Sequence, residues 1–214
     1  MKFLLIIVFA LLLNSCASDL STIYKDSSID TKDFTNKNII VCPTTGGWMT
    51  VGKDTSFFAI PEATLYTKAF TTKLKELRNC INIIDQSRLT YMTPDLERTM
   101  NDRKYCFSNM TKEDSTFFDN LSTTFNADYL IFFESVEFFA DKGNYYQVQF
   151  VNKDSKLIMQ MWDLRQTKMV YRALSNGSGS NIMQLLKDES STDALENSFV
   201  EYIESLPKCV LKND

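Results

Sequence analysis

The sequence predicts an α+β domain: one mixed sheet, parallel in its first strands and an antiparallel meander after, packed with helices. Three observations carry this. Between residues 38 and 126, short apolar runs alternate with stretches of helical period, an order that demands crossover connections. Between residues 128 and 174, strand patterns follow one another with only turn-length breaks, the spacing of hairpins. A final helical stripe then closes the chain.

The elements follow in order. Residues 38–43, Asn-Ile-Ile-Val-Cys-Pro, read as a short strand stopped by Pro43, which has no N–H to give a ladder. Residues 44–61 read as a long loop carrying Gly46, Gly47, Trp48, Met49, Gly52, Phe57 and Phe58. Across residues 62–79, Ala63, Tyr66, Phe70, Leu74 and Leu77 recur at three or four, the stripe of an amphipathic helix. Residues 81–84 are a second short strand. Asp85 can cap a helical stretch running toward Asp102, broken where Thr93-Pro94 offers a fresh start. Thr111, with Asp114 three on and Phe117, Phe118 and Leu121 following, opens another helix that ends near Asn126.

The strand over residues 128–139 is the strongest. Tyr129 to Phe133 are apolar on successive positions, so both faces are buried and the strand is central. Residues 145–151 and 156–164 read as two strands joined by the turn Asn152-Lys153-Asp154-Ser155, and 168–174 as a third hairpin member. Residues 176–180 have loop composition. Thr192 caps a last helix with Leu195, Phe199, Tyr202, Ile203 and Leu206 on one face, ended by Pro207.

Composition removes several classes of function. The chain of 214 residues contains no histidine, which excludes Ser-His-Asp and Cys-His nucleophile systems and every His-ligated metal site. Its formal net charge is −4, with no basic run, so no nucleic-acid partner is expected. The five cysteines contain no C-x-x-C, which argues against zinc; no metal and no cofactor are expected. Glu134 and Glu137, three apart on a strand, are expected on opposite faces and not as a catalytic pair. Asp128 and Asp163, at a strand start and a strand end, are expected to make local turn hydrogen bonds. No catalytic residue is assigned.

The first sixteen residues set where the protein works. Lys2 supplies one positive charge, residues 3–13 are an unbroken apolar run, and Leu13-Asn14-Ser15-Cys16 follows. The run is too short for a comfortable bilayer span, which needs about 20 residues. It has the layout of a secretory signal. Ending in cysteine, it resembles the lipobox of bacterial lipoproteins, which implies that residues 1–15 are removed and that Cys16 is acylated (palmitate). Ala17 stands where an inner-membrane retention signal would place Asp, so the resemblance favours the outer membrane, facing the periplasm. Loss of the leader, whose only charge is Lys2, leaves 199 residues and a balance of −5. Residues 16–36, polar and without period, then read as a lipidated tether, and residues 37–208 as one globular domain.

Residues 39–43, the helix after them, Ile81-Asn82-Ile83-Ile84-Asp85, Asn126-Ala127-Asp128-Tyr129-Leu130-Ile131, and Met161-Trp162-Asp163-Leu164 before Val170-Tyr171 form a pattern. It resembles the envelope-lipoprotein domain shared by penicillin-binding-protein activator lipoproteins, the curli-secretion lipoprotein and the TolB amino-terminal domain. The resemblance covers about residues 38–206. Lys168 stands where that group has its turn glycine. The long Pro-rich tether of the activators is absent, and so is a spare pair of long alternating segments of the kind the curli pore inserts. The resemblance implies a fold and an envelope role, not either specific role.

The functional expectation is a non-enzymatic protein-binding module in cell-wall or secretion assembly, held to the membrane by its N-terminal lipid, with an envelope protein or a second copy as partner. The alternatives are a small-ligand or glycan binder, or a histidine-free, acid-based hydrolase. The expected partner surface is the 44–61 stretch, with Trp48, Met49, Phe57 and Phe58, because it leaves the carboxyl edge of the parallel strands and aromatics dominate binding hot spots. The competing expectation is that these aromatics fold back over the sheet. Among the cysteines, Cys80 and Cys106 are the expected disulfide. Cys80 opens the second strand, and about 17 helical residues after it cover roughly 25 Å, enough to return. Cys42 is expected as a buried thiol.

Overall fold

A strand that is apolar on successive positions must be covered on both faces, and the structure, a computed structural model, builds the sheet around that strand. It describes residues 18–42, 46–51, 53–59, 62–84, 112–145, 148–181 and 190–209. The strands are β1 (Ser18–Lys25), β2 (Asn38–Val41), β3 (Gly46–Val51), β4 (Asp54–Ala59), β5 (Asn82–Ile83), β6 (Tyr129–Tyr145), β7 (Val148–Asp163) and β8 (Lys168–Asn181). The helices are α1 (Glu62–Leu77), α2 (Lys112–Phe125) and α3 (Ser190–Ser205). The strands form one sheet in the order β1-β8-β7-β6-β2-β5, with β3 also on β6 and β4 on β3. β2 pairs parallel with β5 and β6, while β6, β7, β8 and β1 are antiparallel in turn. The expected mixed α+β sheet is what forms.

β6 sorts its side chains between two cores. Tyr129, Ile131 and Phe133 join Phe70 and Leu74 of α1 and Phe199, Tyr202 and Ile203 of α3 on the first face. Leu130 and Phe132 join Phe118, Leu121 and Phe125 of α2, with Trp162, on the second. The aromatic rings lock these layers. Phe70 meets Phe133 and Phe199 edge-on, with centroids 5.2 and 5.1 Å apart, and Phe118 stacks on Trp162 at 5.3 Å. α2 ends as its sequence allows: Asn126 takes φ 49°, and the Ala127 amide donates to the Ser122 carbonyl at 3.0 Å, a left-handed helix stop.

Five expectations are corrected. Residues 18–36 are not a free tether. β1 lies antiparallel on β8 from Ser18↔Gly177 to Lys25↔Tyr171, and Ile29 and Phe34 are buried in the first core. Residues 44–61 are not a loop but largely the β3–β4 hairpin, whose first strand pairs with β6 further along than β2 does. Residues 152–155 are not a turn. β7 runs straight through them, laddered to β6 on one side and β8 on the other, and 176–180 belong to β8. Glu134 and Glu137 do not face opposite ways, because a bulge between Phe133 and Ser135 shifts the register. The helical stretch expected toward Asp102 lies outside the described residues.

Candidate functional site

The parallel strands β2 and β6 begin, and β7 ends, at the same end of the sheet, and Asp128 and Asp163 stand at these strand ends. Both carboxylates are buried. Their oxygens are all engaged. Asp128 Oδ2 accepts the Asn38 amide at 3.0 Å, and Oδ1 faces Arg165 Nε at 2.9 Å and Lys37 Nζ at 3.8 Å. Asp163 Oδ1 accepts the Gln166 amide at 3.0 Å, and Oδ2 accepts Lys32 Nζ at 2.5 Å. The expected local turn hydrogen bond is present at Asp163, whose partner is three residues on, whereas the Asp128 carboxylate is held by Asn38, Lys37 and Arg165, all distant in sequence. Lys32, Asp33, Lys37, Asp128, Tyr129, Asp163, Arg165 and Gln166 line an open cleft of about 340 Å³.

Tyr129 is the buried aromatic member of this cleft. Its ring stacks on Phe34 at 4.7 Å, and Lys32 Nζ lies 5.7 Å from its centroid, in cation–π range. Burial first, then the charges of Asp163 and Asp128, push its hydroxyl far above the ordinary tyrosine range, against a smaller opposing effect of Arg165. It stays protonated and can only act as a neutral hydrogen-bonding group. Three cations face three carboxylates, so the formal charges of the cleft balance. What it does mechanically is fasten residues 26–37 to the sheet end. At its side, Asp26 accepts from Lys168 and from the Ser28 hydroxyl and amide, at 2.6 and 2.9 Å for the latter two.

A second polar group sits on the α2 side of the sheet. Arg172 grips Glu134 with Nε and a terminal nitrogen at 2.7 and 2.6 Å. Gln160 Nε2 adds a third bond at 2.8 Å, while Trp162 Nε1 donates to Gln160 Oε1 at 2.9 Å. The carboxylate sits at the bulge, saturated by charged and neutral donors. This arrangement also leaves no acid–base pair: Glu137 is occupied by Ser135 at 3.3 Å and Lys156 at 3.9 Å.

The residues expected from sequence are not brought into this cleft. Trp48 and Met49 lie in β3, in register with Phe57 and Ser56 of β4 and with Glu137 and Phe138 of β6; Phe58 is opposite Gly47. The four belong to one hairpin at the other half of β6. Cys16 and Cys106 lie outside the described residues. Cys80 is bonded to Cys209, with Cα atoms 6.3 Å apart, not to Cys106. Arg78, two residues before Cys80, donates from its guanidinium to the Glu204 and Leu206 carbonyls at 3.1 and 3.4 Å, a second tie between the end of α3 and the segment that carries Cys80. Cys42 is a buried thiol outside the disulfide, as expected. Sequence reasoning missed Lys32, Lys37 and Arg165. The available signal was the pair of acids at converging strand ends, which need cations when buried. Among the described residues no group of histidine, cysteine and acids could hold a metal ion, and no helix is long and apolar enough to cross a membrane.

No family model matches the sequence, and no curated protein matches it. Among solved structures, the chain is similar to the PelC dodecamer from Paraburkholderia phytofirmans, at 8% identity over 91% of this chain and 100% of that chain, TM-score 0.36. It is similar to the LpoB C-terminal domain from Salmonella enterica, at 14% identity over 73% and 89%, TM-score 0.33. It is also similar to lipoprotein GNA1162 from Neisseria meningitidis, at 14% identity over 78% and 96%, TM-score 0.30. Likenesses this distant carry no argument about role, which must come from the residues of this chain.

Proposed function

We propose that this chain is a lipoprotein of the bacterial envelope, acylated on Cys16, anchored in the outer membrane facing the periplasm, and acting there as a protein-binding module without chemistry of its own. The observation that carries the reading is the junction Leu13-Asn14-Ser15-Cys16 after an apolar run, with a single residue, Ala17, between the cysteine and β1. The absence of histidine and the full engagement of the Asp128, Asp163 and Glu134 oxygens support a non-enzymatic role. The binding surface is the β3–β4 hairpin with Trp48, Met49, Phe57 and Phe58. Among the described residues β4 has a strand neighbour on one side only, which suits strand addition by an extended partner segment.

The test has two arms. Metabolic palmitate labelling of the wild type and of Cys16→Ala should show label only in the former. Label persisting in the variant would refute anchoring at Cys16. A photo-crosslinker at position 58 should capture one envelope protein in cells, and Trp48→Ala should abolish the crosslink without loss of fold. Loss of roughly 3–5 kcal/mol of stability instead would make Trp48 a core residue and the hairpin structural.

A further inference from the structure

The strand registers fix the level at which a lipid on Cys16 would sit. Ser18 is opposite Gly177, Gly177 opposite Ser155, and Ser155 opposite Phe138. Cys16 is two residues earlier, so its Cα lies at most about 7 Å from the Ser18 position. β6 and β7 do not stop at that level. Residues 139–145 and 148–154 stay laddered to each other as far as Tyr145↔Val148. That is about seven further residues, or roughly 23 Å at 3.3 Å per residue. β8 accompanies them to Asn181, opposite Val151. The arm therefore overreaches the acylated residue by about 16 Å even when the linker is fully extended along it. With a flexible tether this would mean little, but residues 18–25 are a strand of the same sheet and leave only Ala17 as slack.

The composition of the overreaching end suits a lipid surface. Residues 143–151, Gly-Asn-Tyr-Tyr-Gln-Val-Gln-Phe-Val, contain no charged side chain, while Asp141-Lys142 and Lys153-Asp154 flank them. Tyrosine is enriched at the headgroup level, where one end of the ring is apolar and the other wet. The headgroup layer is about 5–7 Å deep on each side of the hydrocarbon core, so a tilted arm places its end there without spanning.

From the register and this composition, we infer that the β6–β7 end, with Tyr145, Val148 and Phe150, is a second membrane contact that enters the interfacial layer beside the acyl chains of Cys16. The inference rests on the anchoring proposed above. The lipid and the arm together would fix the orientation of the sheet, with the strands inclined to the bilayer and the Lys32–Asp163 cleft on the far end, facing away.

The test uses the full, acylated chain in vesicles of phosphatidylethanolamine and phosphatidylglycerol with brominated acyl chains. Tyr145→Trp adds a tryptophan at the arm, and Gln166→Trp adds one at the cleft end. Each emission is read as the difference from the unsubstituted chain, which carries Trp48 and Trp162. The expected result is loss of most of the emission added at position 145 and none of that added at 166. Equal emission from position 145 with and without bromine, in protein that floats with the vesicles and carries acyl mass on Cys16, overturns the contact and leaves the anchor standing. Protein that neither floats nor carries acyl mass overturns the anchor, and the contact with it. Retained folding of both variants is checked by their melting transitions.

Discussion

Asp26 shows how single residues hold the N-terminal segment. The Lys168 ammonium first, then the Ser28 hydroxyl and amide, hold its carboxyl well below the usual range, and Asp26 in turn raises Lys168. In the unfolded chain an aspartate takes up its proton near pH 4. The contact's stabilisation is thus complete above about pH 4 and is lost as the pH falls further; on the lysine side it persists until the pH rises past about 10.4. Lys168→Met is expected to flatten the fall of the melting midpoint below about pH 4, measured at stepped pH, and an unchanged slope would remove the contact from the acid response. Glu134 is the opposite case, a carboxylate in the interior, with side chains 4% exposed for Glu134 and 15% for Arg172. Arg172→Ala should cost about 3–5 kcal/mol in urea unfolding, because a buried charge loses its partner. Tyr202 is fully buried, and its hydroxyl has no hydrogen-bond partner among the described residues. Tyr202→Phe should therefore be neutral or gain about 1 kcal/mol, where a hidden functional bond would show as a loss.

At the scale of elements, the turn between β7 and β8 and the disulfide make the sharpest predictions. Thr167 takes φ 52°, a conformation that costs a β-branched residue about 1–2 kcal/mol. Thr167→Gly is expected to raise stability by about 1 kcal/mol, read as a shift in the urea midpoint. The Cys80–Cys209 bond spans 129 residues of sequence, and Cys209→Ser should cost about 2–5 kcal/mol. The three helices, β2, the start of β6 and the start of β8 were legible in the sequence because their burial periods are regular: Phe199, Tyr202, Ile203 and Leu206 form the stripe that is in fact buried. β1 was not legible. Among the described residues it has one strand neighbour, its Leu20 packs only partly buried against the core, and a bulge at Ile23 breaks any alternation. Asn152 to Ser155 have turn chemistry, yet ladders on both sides hold them extended, so pairing overrode local preference. Of the cleft, the two acids were readable at strand ends. Their cations were not, since Lys32 comes from a segment whose period is silent.

At the scale of the molecule, α1 and α3 cover one face of a long sheet and α2 covers part of the other, with polar seams where packing is close. Ser155 and Ser198 hydroxyls meet at 2.6 Å, and Ser175 donates to the Ser198 carbonyl at 2.7 Å, so small residues let α3 approach β7 and β8. Three attachments converge on β8: β1 along its edge, α3 across its face and Lys168 at its start. Chains ended before residue 168 are expected to be digested by protease throughout residues 18–37, whereas the full chain should protect that segment.

The pairing of Ser18 with Gly177 also carries an order in time. Among the described residues, the strand made first at the ribosome is seated on the strand made last, and Cys80 likewise waits for Cys209. The chain cannot close while its end is still being synthesised. The N-terminal strand therefore waits, unseated, through the making of every strand between, and its closure onto β8 is a late event in the life of the chain.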